Sequence, residues 1–329
     1  LRYYIRKLAF YVVALWAALT LNFFIPRLMP GNPVDTLMAR LAQRGGSVDP
    51  SVRRSYELLL GTRTREPLVD QYLSYLVNLF KGDLGISVSV YPTPAAEVIS
   101  QSLPWTIVLV GIATLLSFLI GVTLGMLVGW KRGTWLDSLV PATTVLAAVP
   151  YFWLALILVA VFGSALQWFP LLGGYDVILD PGWSPEFIGS AIHHGTLPAL
   201  TIVISSVGGW LLGMRNMMVS TVDEDYVLTA RAKGLRERRI MTHYAARNAV
   251  LPSVAGFAIS LGFVVAGSII TEQVFSYPGI GGKLLQAVQN NDYALMQGIF
   301  LVITVAVLGA NLVVDLLYGL IDPRTRAGA

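Results

Sequence analysis

An all-α membrane protein is the fold class that this sequence predicts, and three observations carry the prediction. Hydrophobic residues make up 55% of the 329 and charged residues only 13%, about half the share usual in soluble domains. The mean hydropathy of +0.66 is more than a soluble chain of this length can bury. Apolar stretches of about 20 residues, long enough to cross ~30 Å of hydrocarbon, recur from end to end.

Six spans can be read, at residues 8–25, 104–130, 139–166, 197–219, 251–275 and 295–321. The first follows Arg2, Arg6 and Lys7, as the apolar run of a signal peptide would. Its core is longer than such a run, and Phe23-Phe24-Ile25-Pro26-Arg27 offers no small-residue cleavage site. Residues 1–25 are therefore expected to remain as the first transmembrane helix. Pro150 inside the third span should kink it or free a carbonyl.

Orientation follows from Lys and Arg in the short loops. Arg2, Arg6 and Lys7, Lys131 and Arg132, six basic residues within 220–250, and Arg324 and Arg326 fall on one side. Loop 167–196 has no Lys or Arg and loop 276–294 has only Lys283, so both termini are expected in the cytoplasm. Residues 26–103 then form an extracytoplasmic cap between the first two helices. Helical spacing is visible there at 55–60 and at 67–80, where Leu68, Tyr72, Tyr75, Leu76 and Leu79 share a face. Residues 104–321 are then expected to form a five-helix membrane core, with a cytoplasmic loop at 220–250, and 322–329 a cytoplasmic tail.

Within the spans, Gly121, Gly125 and Gly129 recur every four residues, as do Gly209 and Gly213, and such rows let helix backbones approach closely. Packing within the chain is the plainer reading. The alternative is a face that lines a pathway or meets a second membrane subunit. Polar residues in spans cost about 2.5–3.5 kcal/mol each on insertion scales. For Arg215 and Asp315 an interfacial ion pair or snorkelling is the plainer account. Glu272, with Phe275 and Tyr277 following it and Asn311 in the last span, forms the candidate pathway or gate set, weighed against a packing role.

Catalytic chemistry finds no support. There is no Gly-x-x-x-x-Gly-Lys-Ser/Thr, and the look-alike Gly281-Gly282-Lys283-Leu284 lacks both the first glycine and the hydroxyl. His-Glu-x-x-His and Gly-x-Ser-x-Gly are absent, and His193-His194 point about 100° apart on a helix with no third ligand in view. With no cysteine, disulfides and thiolate metal sites are excluded. No catalytic residue, metal or cofactor is expected on this chain.

The basic loop of residues 225–252 remains. Asp223, Glu224 and Asp225 sit where carboxylates favour a helix N-terminus, Gly234 breaks that helix, and a second follows. In the second, Ile240 with Tyr244 and Met241 with Ala245 form an apolar face, while Arg239, His243 and Arg247 lie opposite. A helix lying on an anionic leaflet would show this pattern. The small Ala230 on the helix–glycine–helix unit also suits insertion into a protein groove.

Asp225-Tyr226-Val227-Leu228-Thr229-Ala230-Arg231-Ala232-Lys233-Gly234-Leu235, followed by Arg247-Asn248-Ala249 and Leu251-Pro252, resembles the EAA loop of the dipeptide/oligopeptide/nickel permease family of ABC importers. Pro30-Gly31-Asn32-Pro33, Gln71-Tyr72-Leu73, Gly82-Asp83-Leu84-Gly85 with Ser87, Phe275-Ser276-Tyr277-Pro278-Gly279-Ile280-Gly281, Asp292-Tyr293 with Gln297-Gly298, and Asp315-Leu316-Leu317-Tyr318 with Asp322-Pro323-Arg324 extend the resemblance along the chain. Ala294 departs from it where Pro often follows Asp-Tyr, and residues 63–66 alter the segment before Pro67.

The resemblance implies a permease subunit in a bacterial inner (plasma) membrane. It would form half of a translocation pathway with a second, similar permease and receive cargo from an extracytoplasmic substrate-binding protein. Two ATPase subunits, which hold the ATP and Mg, would couple through Asp225, Tyr226, Thr229, Ala230, Arg231, Lys233, Gly234, Arg247 and Pro252, with Ala230 and Gly234 where the ATPase groove closes. Short peptides are the expected cargo, with oligosaccharides or nickel as alternatives. An ATP-independent channel or secondary transporter is the competing class. It calls for paired intramembrane charges or broken helices in matching halves, which the sequence does not display.

Overall fold

The computed structural model describes residues 2–43, 50–59 and 67–321, and the predicted tail at 322–329 lies outside them. All regular elements among the described residues are helices. In chain order they are α1 (Arg2–Leu28), α2 (Pro33–Gln43), α3 (Pro50–Leu59), α4 (Leu68–Phe80), α5 (Ala95–Trp130), a 3-10 turn Trp135–Ser138, α6 (Leu139–Ala148) and α7 (Tyr151–Leu158), which runs into a π-helical segment, Val159–Ala165. There follow α8 (Pro185–Thr221), α9 (Asp225–Ala232), α10 (Glu237–Arg239), a π-helical turn Ile240–Ala245, α11 (Ala246–Ala249), α12 (Leu251–Val264), α13 (Ile269–Val274), α14 (Ile280–Gln289) and α15 (Tyr293–Ile321). Among the described residues an isolated bridge pairs Ile86 with Pro94.

Among the described residues four helices are long and apolar enough to cross a membrane: Ile5–Leu28, Ala95–Trp130, Pro185–Thr221 and Tyr293–Val313. A fifth is reached if Glu237–Ala249 and Leu251–Val264, bent by 51°, count as one span. The third and fifth expected spans are not continuous helices. The third stops at Ala148 and restarts at Tyr151, with Pro150 capping the new helix, because proline disfavours helical backbone in the residue before it. The fifth stops at Val264, and the break before α13 contains Gly267 at φ +73°.

The chain divides into two compact units. One comprises residues 1–106, 265–269 and 278–329, the other 107–264 and 270–277, so α5 contributes to both. In the first, α1 packs along α15, and Lys7 Nζ lies 2.9 Å from Asp315, which also accepts from Tyr11 at 2.8 Å. Asp315 thus forms an ion pair, with Lys7 as its partner. The start of α5 packs with α14 and α15 in a core of Val98, Ile99, Ile280, Leu284, Leu295, Met296 and Ile299. Asp292, fully buried, locks the loop before α5 onto that core. Its carboxylate accepts from Ser87 Oγ at 2.5 Å, from the Ser89 amide at 2.8 Å and, as the cap of α15, from the Leu295 amide at 3.0 Å.

In the second unit the glycine row decides the packing. A Cβ on Gly121 would lie 2.5 Å from Trp210 Cβ, and one on Gly129 2.6 Å from Met218 Cβ. On Gly125 it would overlap the Leu211 carbonyl oxygen. Backbone meets backbone between α5 and α8, so this row serves internal packing. Gly209 and Gly213, on α8, have nothing within 4 Å.

Gly125→Ala should therefore cost about 1–3 kcal/mol by overpacking, whereas Gly213→Ala should be neutral or stabilise by up to about 1 kcal/mol through helix propensity. Thermal unfolding of the purified variants in detergent measures both; equal effects would contradict the packing described.

Candidate coupling site

The helix–glycine–helix unit is built on the core of the second unit. Val227 and Ala230, three apart on α9, and Ile240, Ala245, Ala246 and Ala249 beyond the turn are buried against Met214 and Met218 of α8. Val122, Met126 and Trp130 of α5 line the same cluster. Two apolar arcs, one from each short helix, thus close on a methionine floor. Methionine suits this place because its unbranched side chain fills irregular gaps between helices meeting at an angle.

Local chemistry sets the turn. The Leu235 amide donates to the Ala230 carbonyl at 3.4 Å and the Gly234 amide to Arg231 at 2.9 Å, the paired bonds of a Schellman cap. Gly234 takes the left-handed position, φ +71°, with open space around it. Arg231 Nε lies 3.8 Å from Glu237 across the turn, and its guanidinium stands 5.2 Å over the Trp130 ring. Past the turn, the π-helical segment Ile240–Ala245 keeps Ile240 and Ala245 buried while Arg239, His243 and Arg247 stay exposed. At Val250 the chain bends by 51° into α12, where Pro252 sits in the first turn and needs no amide partner.

The structure splits the predicted coupling residues. Asp225, Tyr226, Thr229, Arg231, Lys233, Gly234, Arg247 and Pro252 are exposed. Ala230 is not: at 2% exposure it faces the chain's own methionine floor, where a partner's groove cannot reach it. Its smallness lets α9 approach α8, a contact within the chain and a correction to the expected one. Leu228, outside the predicted set, is also exposed, at 47%. Its signal was available, since it is the apolar residue of α9 that falls off the Val227 and Ala230 face.

The candidate gate residues Glu272, Phe275 and Tyr277 are brought together in one buried turn. The Tyr277 amide donates to the Glu272 carbonyl at 2.8 Å and Ser276 to Gln273 at 3.3 Å, a second Schellman cap with Ser276 left-handed at φ +47°. Phe275 also accepts from the Gly173 amide at 2.8 Å. Burial, and after it the charge of Glu272, pushes the Tyr277 phenol up, so it stays a neutral donor at physiological pH. Asn311 belongs to the other unit, half-buried on α15. His193 and His194 bond to the carbonyls of Trp168 and Ser190, and no group of residues that could hold a metal occurs among the described residues.

The family model described as "Binding-protein-dependent transport system inner membrane component" matches residues 121–327. The oligopeptide transport system permease protein AppB of Bacillus subtilis is 31% identical over 98% of both chains. The di/tripeptide transport system permease protein DppB of Pseudomonas aeruginosa is 34% identical over 98% of this chain and 97% of its own. The probable D,D-dipeptide transport system permease protein DdpB of Escherichia coli is 34% identical over 94% and 92% respectively.

Ala230→Leu, which forces bulk into a filled cluster, should destabilise the 225–249 region by about 1–3 kcal/mol. Gly234→Ala meets no neighbour and should cost only the left-handed backbone term, about 1–2 kcal/mol. Limited proteolysis of this segment should show the first variant cut faster than wild type in the isolated chain.

Proposed function

The chain belongs to the binding-protein-dependent transport system inner membrane component family, and from that premise we propose that it forms half of a peptide translocation pathway and receives ATPase motion through α9. The observation that carries the proposal is the two-sidedness of α9. Val227 and Ala230 fix it to α8, while Tyr226, Leu228, Thr229 and Arg231 are held out to a partner. A short, firmly seated helix whose outer surface mixes apolar, hydroxyl and basic side chains suits a groove in a cytoplasmic ATPase subunit. ATP and Mg are then bound by that partner.

Six membrane crossings, cytoplasmic termini and an extracytoplasmic region at 26–103 complete the reading, supported by the distribution of Lys and Arg. The broken third and fifth spans then cross as α6 with α7 and as α12 with α13. Gly209 and Gly213, open on α8, suit close approach of a second permease. Val177, Ile178 and Trp183, exposed between α7 and α8, suit an external substrate-binding protein. Glu272, Phe275, Tyr277 and Asn311 are assigned to the pathway or its gate. Peptides are the cargo that the relatives' names favour over oligosaccharides or nickel.

Leu228→Glu should leave the chain folded, because the side chain is exposed, yet lower recovery of co-purified ATPase subunits at least several-fold and abolish transport. Normal association and transport would remove α9 as the motor contact. For topology, Ser220→Cys should react only with membrane-permeant reagents in intact cells and Val177→Cys with impermeant ones; the reverse pattern would invert the orientation.

A further inference from the structure

We propose that α4 is an interfacial helix, with Val69, Leu73, Val77 and Phe80 set in bilayer hydrocarbon beside α1. These four residues, spaced by four and three, are between 51% and 87% exposed. None of the thirteen residues of α4 is buried. The arc that touches protein holds Tyr72 and Tyr75, and it touches α1. The Tyr72 hydroxyl lies 2.8 Å from Thr20 Oγ1, and Asn22 Nδ2 donates to Tyr75 at 3.3 Å. The Tyr72 ring lies 5.2 Å from Phe23 and stacks at 6.4 Å on Phe24.

The depth of those contacts identifies the occupant of the exposed arc. The apolar span of α1 covers Ile5–Leu28, 24 residues. A hydrocarbon core takes about 20 of them. However that core is slid along the span, Thr20 and Phe24 stay inside it. Leu21, Phe24, Ile25 and Leu28 form an exposed apolar row on this same end of α1, which in a spanning helix faces lipid. The outward arc of α4 continues that lipid-facing surface. Its polar residues agree: Asp70, Ser74 and Asn78, also exposed and spaced by four, form a separate row that can face water and headgroups. Tyr72 and Tyr75 stand between the two rows, with the polar tip and apolar body typical of the membrane interface. Part of the region read from sequence as an extracytoplasmic cap therefore rests in lipid.

Because the chain has no cysteine, single spin labels test this directly. Leu73→Cys, Ser74→Cys and, as a lipid-facing reference on α1, Leu21→Cys would be labelled in the full chain within its assembled complex. The complex is reconstituted in vesicles of phosphatidylethanolamine and phosphatidylglycerol. Power saturation should give position 73 an oxygen-to-nickel-chelate accessibility ratio close to that of position 21 and several-fold above that of position 74. A ratio at 73 equal to that at 74 would mean water on both rows and would overturn the proposal. Low accessibility to both reagents at 73 would mean a covering protein subunit and would overturn it equally. As a second readout, Leu73→Asp should lower the yield of assembled complex several-fold while Ser74→Asp leaves it unchanged; equal yields would count against lipid contact.

Discussion

Close approach of α5 and α8, permitted by Gly121, Gly125 and Gly129, is the constraint on which the working end of this protein depends. The residues of α8 that meet the row include Met214 and Met218, and these same side chains form the floor under α9 and the π-helical turn. One layer of side chains therefore has a helix backbone beneath it and the two short helices above it. Packed interiors are dense and yield little. Such packing would pass a displacement of α9 on to α8, the mechanical property that the proposed coupling role requires.

The two faces of α9 divide the labour. Burial of Val227, Ala230 and Ile240 supplies the grip on the chain, and the Schellman cap at Gly234 sets the return angle without using any exposed side chain. Tyr226, Leu228 and Lys233 are thereby left exposed, available for the proposed recognition. A similar cap recurs at Ser276, where the left-handed position is filled by a residue with a Cβ at a cost of about 1–2 kcal/mol. The surrounding burial of Phe275 and Tyr277 holds it there.

Much of this was legible in the sequence. The long apolar helices followed from length and hydropathy, the glycine row from spacing, and the buried arc of the second short helix from its apolar periodicity. Ala230 was misread because a small residue on a short helix looks the same whether the close neighbour is a partner or the chain itself. The helix α2 escaped notice although Asn32 caps it, its side chain accepting from the Val34 amide, and Pro33 opens it. The Asp292 lock joins residues some two hundred positions apart in the chain, and no local pattern encodes such a pairing. The outward row of α4 was hidden for a different reason. Periodicity showed which residues share a face but not which of two apolar arcs meets protein.

The claim that α9 is mechanically part of α8 is tested most directly by hydrogen exchange across residues 225–249 in wild type and in Met218→Ala. Met218 is fully buried between the glycine row and the loop, and its truncation removes about 2–5 kcal/mol of packing. Amides of α9 and of the segment 240–249 should then exchange faster together, by similar factors, with α14 and the start of α15 unchanged. Unaltered exchange in α9, or release of one short helix without the other, would show that the loop is seated by something other than the methionine floor.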